Sequence, residues 1–238
     1  MLKISNCLNR RVAMQTALAL AAPALLPGRT WAQAFPGKPL RLVVPFPAAG
    51  GTDTMARTLA DLLSRELGQP VIVDNKAGAG TVIGNDAVAK SAPDGHTLLI
   101  NTSAFAIVPS IHPRLPYAGE SAFAAVTLLG RAPNVAVVRA DSPLKSGADF
   151  VAQARARPGR LSYGSAGNGT STHLAAELLK SSARIFVTHV PYRGATPAIT
   201  DLIGGQIDVA FGTLPSVAPF IASGKLRALA VTSAVRSS

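Results

Sequence analysis

Two runs of small residues carry the chemistry that this sequence offers. In one, Gly50-Gly51-Thr52-Asp53 follows the apolar Leu42-Val43-Val44 and a loop, Pro45-Phe46-Pro47-Ala48-Ala49. In the other, Gly164-Ser165-Ala166-Gly167-Asn168-Gly169-Thr170-Ser171 follows Leu161-Ser162-Tyr163. Glycine removes Cβ where the chain turns into a helix, so a ligand can approach first-turn N–H groups that have no intrahelical partner. Such a place suits an anion, which meets donors and the positive end of the helix dipole together. One carboxylate at one helix end gains about 0.3–1 kcal/mol, or ~2 when partly buried. Micromolar affinity needs roughly 8 kcal/mol. A single loop falls short of that. Two loops closing on one ligand, with charge-assisted bonds from their hydroxyls and water excluded, can reach it. The spacing therefore points to a clamp for a small anion that requires no catalysis.

Other chemistries fit less well. Ser165 stands between a strand and a helix with His173 nearby, so an exported serine-hydrolase-like enzyme using Ser165 and His173 is the alternative reading. A nucleophile elbow needs glycine two residues before the serine, and Tyr163 stands there. Gly78-Ala79-Gly80 with Gly84 places the third glycine one residue late for a dinucleotide fingerprint, and no cofactor is expected. His96, His112, His173 and His189 lack metal-site spacing, so no metal is expected either. His189 falls in a strand and reads as packed, and His112, beside Pro113, as a loop residue. His173 lies in the first turn after the second glycine run. It either faces a bound anion or makes a structural contact.

The first 34 residues read as a signal peptide. Lys3, Arg10 and Arg11 precede an apolar run, Val12 to Leu26, and Ala32-Gln33-Ala34 is a small-x-small cleavage site. The run is shorter than the roughly 20 residues of a spanning helix, and Arg10-Arg11 leaves twin-arginine export open beside the Sec route. Cys7, the single cysteine, precedes the run, so cleavage after Ala34 removes all thiol chemistry. The same cleavage removes four bases and no acid, leaving 19 Lys and Arg against 12 Asp and Glu. These charges are scattered, with no basic stripe among aromatics, so nucleic acid is not an expected partner. A mild attraction for anions is.

Strands alternating with helices position the two glycine runs. Strands are expected at 42–44, 71–73, 96–100, 125–129, 135–138, 161–163, 186–190, 207–211 and 226–232. Helices are expected from Gly50 onward and at 81–92, 147–157, 172–181, 197–203 and 217–222, with Leu174, Ala175 and Leu178 on the buried face of the fourth. Residues 105–125, with Pro109, Pro113 and Pro116, read as a connection. The pattern predicts an α/β fold built on mostly parallel sheets, whose ligands gather outside the strand C-termini. Both glycine runs and Thr102-Ser103 lie at that edge.

Taken together, F-P-G-K-P-L-R-L-V-V-P-F-P-A-A-G-G-T-D (35–53), G-Q-P-V-I-V-D-N-K-A-G-A-G (68–80), A-P-D-G-H-T-L-L (92–99), L-S-Y-G-S-A-G-N-G-T-S-T-H-L (161–174), H-V-P-Y-R-G (189–194) and L-R-A-L-A-V-T-S (226–233) are similar to the Bug family. Its members are the extracytoplasmic solute-binding proteins of tripartite tricarboxylate transporters. The resemblance implies a two-lobed periplasmic-binding-protein-like fold of type II, monomeric, that traps a carboxylate between lobes and delivers it to membrane permease subunits. It implies a lobe 1 at 35–103, a crossover at 104–125, a lobe 2 at 126–225 and a return crossover at 226–238. By match to the family it implicates Phe46, Ala49, Gly51, Thr52 and Asp53, beside Gly50, in the first lobe. In the second it implicates Ser165, Ala166, Gly167, Asn168, Gly169 and Thr170, with His173 behind them, and it adds Thr102, Ser103 and Tyr192 at the same edge. Asp53 should repel an anion, so it either favours the dipole or receives a ligand ammonium or a bridging water. Ala49 stands where the family often has a third glycine. Members also continue past this chain's end to complete lobe 1, so a fragment with an incomplete first lobe is expected.

Overall fold

Strand β1 (Leu40–Val44) is the centre of a three-stranded sheet, with β2 (Val71–Asn75) on one side and β3 (Thr97–Leu99) on the other, all parallel. The computed structural model describes residues 35–235; the signal peptide expected over 1–34 lies outside the described residues. Helix α1 (Gly51–Leu67) lays Ala56 and Ala60 on this sheet, in one cluster with Leu42, Val44 and Ile100. It stops at Gly68, whose φ of 65° is the left-handed closure that glycine adopts without strain. Helices α2 (Val82–Ala89) and α3 (Ala104–Ile111) also belong to this half.

The second half is a five-stranded sheet of order β6-β5-β7-β4-β8. Its strands are β4 (Asn134–Arg139), β5 (Ser162–Ser165), β6 (Thr188–Pro191), β7 (Val209–Thr213) and β8 (Leu226–Val231). β5 runs parallel to β6 and β7, and β4 alone runs against its neighbours. Helices α4 (Gly147–Ala156) and α5 (Ser171–Ala183) cover one face, and α6 (Ala195–Ile203) and α7 (Leu214–Ala222) the other. Val135 and Val137 of β4 pack with Ile199, Leu202 and Val217, while Ala136 and Val138 pack with Phe150, Ala154 and Ala176. Burial on both faces explains why β4 is an unbroken apolar run.

Four expectations are corrected. Residues 104–111 form α3 despite Pro109, because Ala104 and Val108, one turn apart, are both fully buried. Residues 125–129 form no strand; Val126 is 83% and Leu128 70% exposed, and an apolar run without a partner strand has no ladder to join. On α5 the buried residues are Thr172 and Ala176, with Leu174 and Leu178 turned outward. The stretch read as a return crossover contributes Leu226–Val231 to the second sheet as its edge strand.

Residues 38–235 hold together as one unit, and the two halves touch through loops that follow strand ends. A Cβ added to Gly194 would fall 2.4 Å from Cδ of Pro47, and one on Gly80 2.7 Å from the Asn168 carbonyl oxygen.

Candidate functional site

β1 feeds the loop 45–50, and Asp53 in the first turn of α1 holds that loop in shape. Its side chain is 3% exposed. Oδ2 accepts the Ala49 N–H at 2.8 Å and Arg57 Nε at 2.9 Å, and Oδ1 accepts Asn75 Nδ2 at 2.8 Å. The same Asn75 amide donates to the Phe46 carbonyl at 3.1 Å. Burial pushes the carboxyl up, but the bonds from Arg57, Asn75 and Ala49 outweigh it and hold it below the ordinary carboxylate range. Ala49 has a φ of 62°, the left-handed region that favours glycine, and the Asp53 bond is what secures it there. Asp53 thus shapes the loop through donors from this chain, and neither a ligand ammonium nor a bridging water is needed to explain it.

Beyond the C-terminal ends of β1, β5, β6 and β7 lies a narrow cleft. The first half lines it with Phe46, Pro47, Gly50, Gly51, Thr52 and Thr102. The second half supplies Ala166, Thr170, Ser171, Thr172, Ala195, Thr196 and Thr213. Four helices, α1, α5, α6 and α7, begin at this cleft. The N-caps of α1, α6 and α7 (Gly50, Gly194 and Thr213) accept no side-chain capping bond. By contrast Ser146, which starts α4 elsewhere, caps its helix through Asp149 N. The lining combines hydroxyls and helix N-termini, and it contains no charged side chain. That arrangement accepts a small anion by hydrogen bonds and dipoles.

A second cavity, of about 220 Å³, adjoins the first, sharing Phe46 and Ala166. Its walls are Pro45, the turn Gly78, Ala79, Gly80 and Thr81, then His112, Gly167, Asn168, Pro191, Tyr192 and Arg193. The Tyr192 hydroxyl donates to Asp201 at 2.8 Å, and burial together with Asp201 pushes it up to about 12.

Behind the second glycine run lies a column of rings. The β5–β6 register sets His189 beside Tyr163, and the His189 ring stacks between Tyr163 (4.6 Å) and His173 (4.4 Å). His189 Nε2 lies 2.7 Å from Ser165 Oγ, which also accepts the Gly167 N–H at 3.2 Å, while His173 Nδ1 accepts the Gly169 N–H at 3.3 Å. The Tyr163 hydroxyl donates to Glu177, which also receives Lys180. The hydrolase alternative fails on this geometry. Ser165 is 0% exposed and its partner is His189 rather than His173, so no substrate carbonyl can reach its hydroxyl.

These histidines fold in the neutral form. Burial, with His173 beside it, pushes His189 down to about 4, and burial also lowers His173. The unfolded chain therefore binds more protons below the ordinary histidine value of about 6.5. Their contribution is complete above that pH and is lost as the pH falls toward 4, by at most about 1.4 kcal/mol per pH unit for each proton. Urea titrations at pH 7 and pH 5 should show that fall, with a shallower one in His189→Gln. Equal acid slopes in the two proteins would remove the histidine column as its cause.

Of the expected site residues, Phe46, Gly50, Gly51, Thr52, Thr102, Ala166 and Thr170 line the cleft, and Gly167, Asn168 and Tyr192 line the second cavity. Ala49, Asp53, Ser103, Ser165, Gly169 and His173 line neither. Ala49, Asp53, Ser165, Gly169 and His173 instead shape the two loops, and Ser103 is the N-cap of α3. Of the cleft lining, sequence reasoning missed Pro47, Ser171, Thr172, Ala195, Thr196 and Thr213. Gly194 before Ala195-Thr196 was the available signal, a glycine at the start of a helix as in the two runs already singled out.

A model of the tripartite tricarboxylate transporter family receptor matches residues 55–238. BugT of Bordetella pertussis is 42% identical over 208 residues, 87% of this chain and 64% of that protein. Rhodopseudomonas palustris Rpa4515, solved with adipate, aligns with a TM-score of 0.82 at 36% identity. MatC of the same organism, with bound malate, aligns at 0.77 and 31%. Each of these two alignments covers 85% of this chain, and they cover 68% and 69% of the solved chains. The chain thus spans about two thirds of the length of the proteins it matches.

Proposed function

This chain belongs to the tripartite tricarboxylate transporter receptor family, and we propose that it captures a small carboxylate between its two halves for delivery to the membrane subunits of such a transporter. The observation that carries this reading is the convergence of four helix N-termini and seven hydroxyl side chains on one cleft without charged walls. Adipate and malate, found with Rpa4515 and MatC, are small carboxylates of the kind that hydroxyls and helix N-termini hold. The reading also places the protein in the periplasm as a monomer, exported by the leader over 1–34. Its lobe 1 lies within 35–103 and its lobe 2 within 126–225, β8 extending the second sheet. A binding role needs no catalytic residue, and the burial of Ser165 agrees with that.

A thermal-shift screen against mono-, di- and tricarboxylates tests it. At a hundredfold excess over Kd a ligand stabilises by about 2.7 kcal/mol, a shift on the order of 5–10 °C for a chain of this size. If no carboxylate moves the melting temperature more than chloride at equal ionic strength, the reading fails.

A further inference from the structure

We propose that Asn85, buried behind the cleft, is a positioning residue for ligand binding: through Asn101 it fixes Thr102 at the cleft wall, and it ties that wall to the turn 78–81 and to Tyr117 in the connection after α3. The inference rests on the cleft being the carboxylate site, as argued above. Asn85 lies in α2, is 0% exposed and lines neither the cleft nor the second cavity. Its amide reaches three separate segments. Nδ2 donates to Thr81 Oγ1 at 3.3 Å and to Tyr117 Oη at 3.0 Å, and Oδ1 accepts Asn101 Nδ2 at 2.6 Å. Asn101 Oδ1 in turn accepts the Thr102 N–H at 2.8 Å, and Thr102 lines the cleft.

The polarity of this relay is forced from the cleft outward. A backbone N–H can only donate, so Asn101 must turn its oxygen to Thr102 and its nitrogen to Asn85. Asn85 must then turn its oxygen to Asn101 and both its amide protons to the hydroxyls of Thr81 and Tyr117. At the cleft end, Thr102 Oγ1 accepts the Ala104 N–H at 3.3 Å, and no acceptor among the described residues takes the proton of that hydroxyl. That proton is left for an anion in the cleft. The other branch holds a strained wall. Thr81, in the wall of the second cavity, has a φ of 91°, an outlier for a β-branched residue. Such a conformation persists where its surroundings over-determine it; here Asn85 bonds its Oγ1 and the Gly78 carbonyl its N–H at 3.0 Å. Tyr117 packs edge-on against Phe123, and Phe123 against Phe105 of α3, so the third branch seats the connection on the helix that Thr102 precedes.

A double-mutant cycle tests this, read by titration calorimetry with the mono-, di- and tricarboxylates of the screen as probes. Thr102→Val removes the hydroxyl at nearly constant shape and should weaken the tightest-binding carboxylate about tenfold or more, the worth of a bond to a charged group. Asn85→Ala should weaken it to a similar extent without touching ligand. The two losses should not add in the double variant, because one acts through the other. Tyr117→Phe leaves the Asn101 bond in place and should lose less. Ala154→Gly in α4, buried far from the cleft in sequence and sheet position, is the stability control; it lowers the melting temperature and should leave affinity within about twofold. Should Asn85→Ala fail to fold, Asn101→Ala, at a half-buried position, takes its place in the cycle. Additive losses, wild-type affinity in Asn85→Ala, or an equal loss in Ala154→Gly would overturn the positioning role while leaving the carboxylate reading intact. If no probe binds wild type, the carboxylate reading itself falls and this inference with it.

Discussion

Asp53→Ala is expected to lower stability by about 2–4 kcal/mol and to weaken carboxylate binding more than tenfold. The substitution leaves the Ala49 N–H and one Asn75 amide proton without their acceptor in a part-buried loop, and each unsatisfied donor costs about 1–3 kcal/mol. Arg57 contributes little to the loss, because its half-exposed side chain can turn to solvent. Ala49 is then held at φ 62° without support, and the loop that carries Phe46, Pro47 and Gly50 to the cleft wall is free to relax. Asp53→Asn should lie between, since one amide oxygen can keep one donor but its NH2 must face the other. The acid limb supplies a second check. Because the folded carboxyl is held below its ordinary range, its contribution is complete above about pH 4 and is lost as the pH falls through the depressed folded value. Asp53→Ala should lack that component. Denaturant midpoints measured from pH 2 to 7, with calorimetry at pH 7, read both effects; an alanine variant with wild-type midpoint and affinity would remove Asp53 from its role as loop support.

Gly194→Ala is expected to be the more damaging change for binding. Gly194 has a φ of 140° and precedes α6, and an added Cβ would lie 2.4 Å from Cδ and 2.6 Å from Cγ of Pro47. The backbone conformation alone costs an L-residue about 1–3 kcal/mol. The clash adds a second penalty, because both partners are stiff: Pro47 is a ring and Gly194 is a turn. The strain is relieved by moving the second half away from the first, which separates α6's N-terminus from the loop 45–50. Affinity should fall about a hundredfold, with a scattering profile more open than that of wild type in saturating ligand. Gly68→Ala is the control, since Gly68 also has positive φ (65°) but open space around it. It should cost stability without changing affinity. If Gly68→Ala and Gly194→Ala weaken binding equally, contact between the halves is not what the glycine protects.

The strand–loop–helix units were legible because their signals are local. Pro45 and Pro47 stop the first strand from continuing, Gly50-Gly51 opens α1, and Thr170 at the second run caps α5 by accepting the His173 N–H. Burial of β4 on both faces left a run of apolar residues that any reading of periodicity finds. The family signature was legible for the same reason, as a set of short motifs around those turns. What local signals misjudge is partnership. Val126 and Leu128 look like a strand but have nothing to pair with, whereas α3 looks broken at Pro109 but is held by Ala104 and Val108.

The sequence by itself determined that two glycine-opened helices follow two strands at the ligand-binding edge of an α/β fold. Tertiary structure alone decided that α6 and α7 begin at the same cleft, since that follows from β5 and β7 being neighbours, with β6 beside β5. It also decided that Ser165 bonds His189 rather than His173, because the β5–β6 register sets residues 24 apart side by side. Asp53 changed most in meaning. Its type and position suggested a ligand contact or a dipole effect, but its role depends on Asn75, which the pairing of β1 with β2 brings beside it. Which donors reach a buried carboxylate is a matter of strand order and register, and those are settled by packing across the whole chain rather than by its neighbours in sequence.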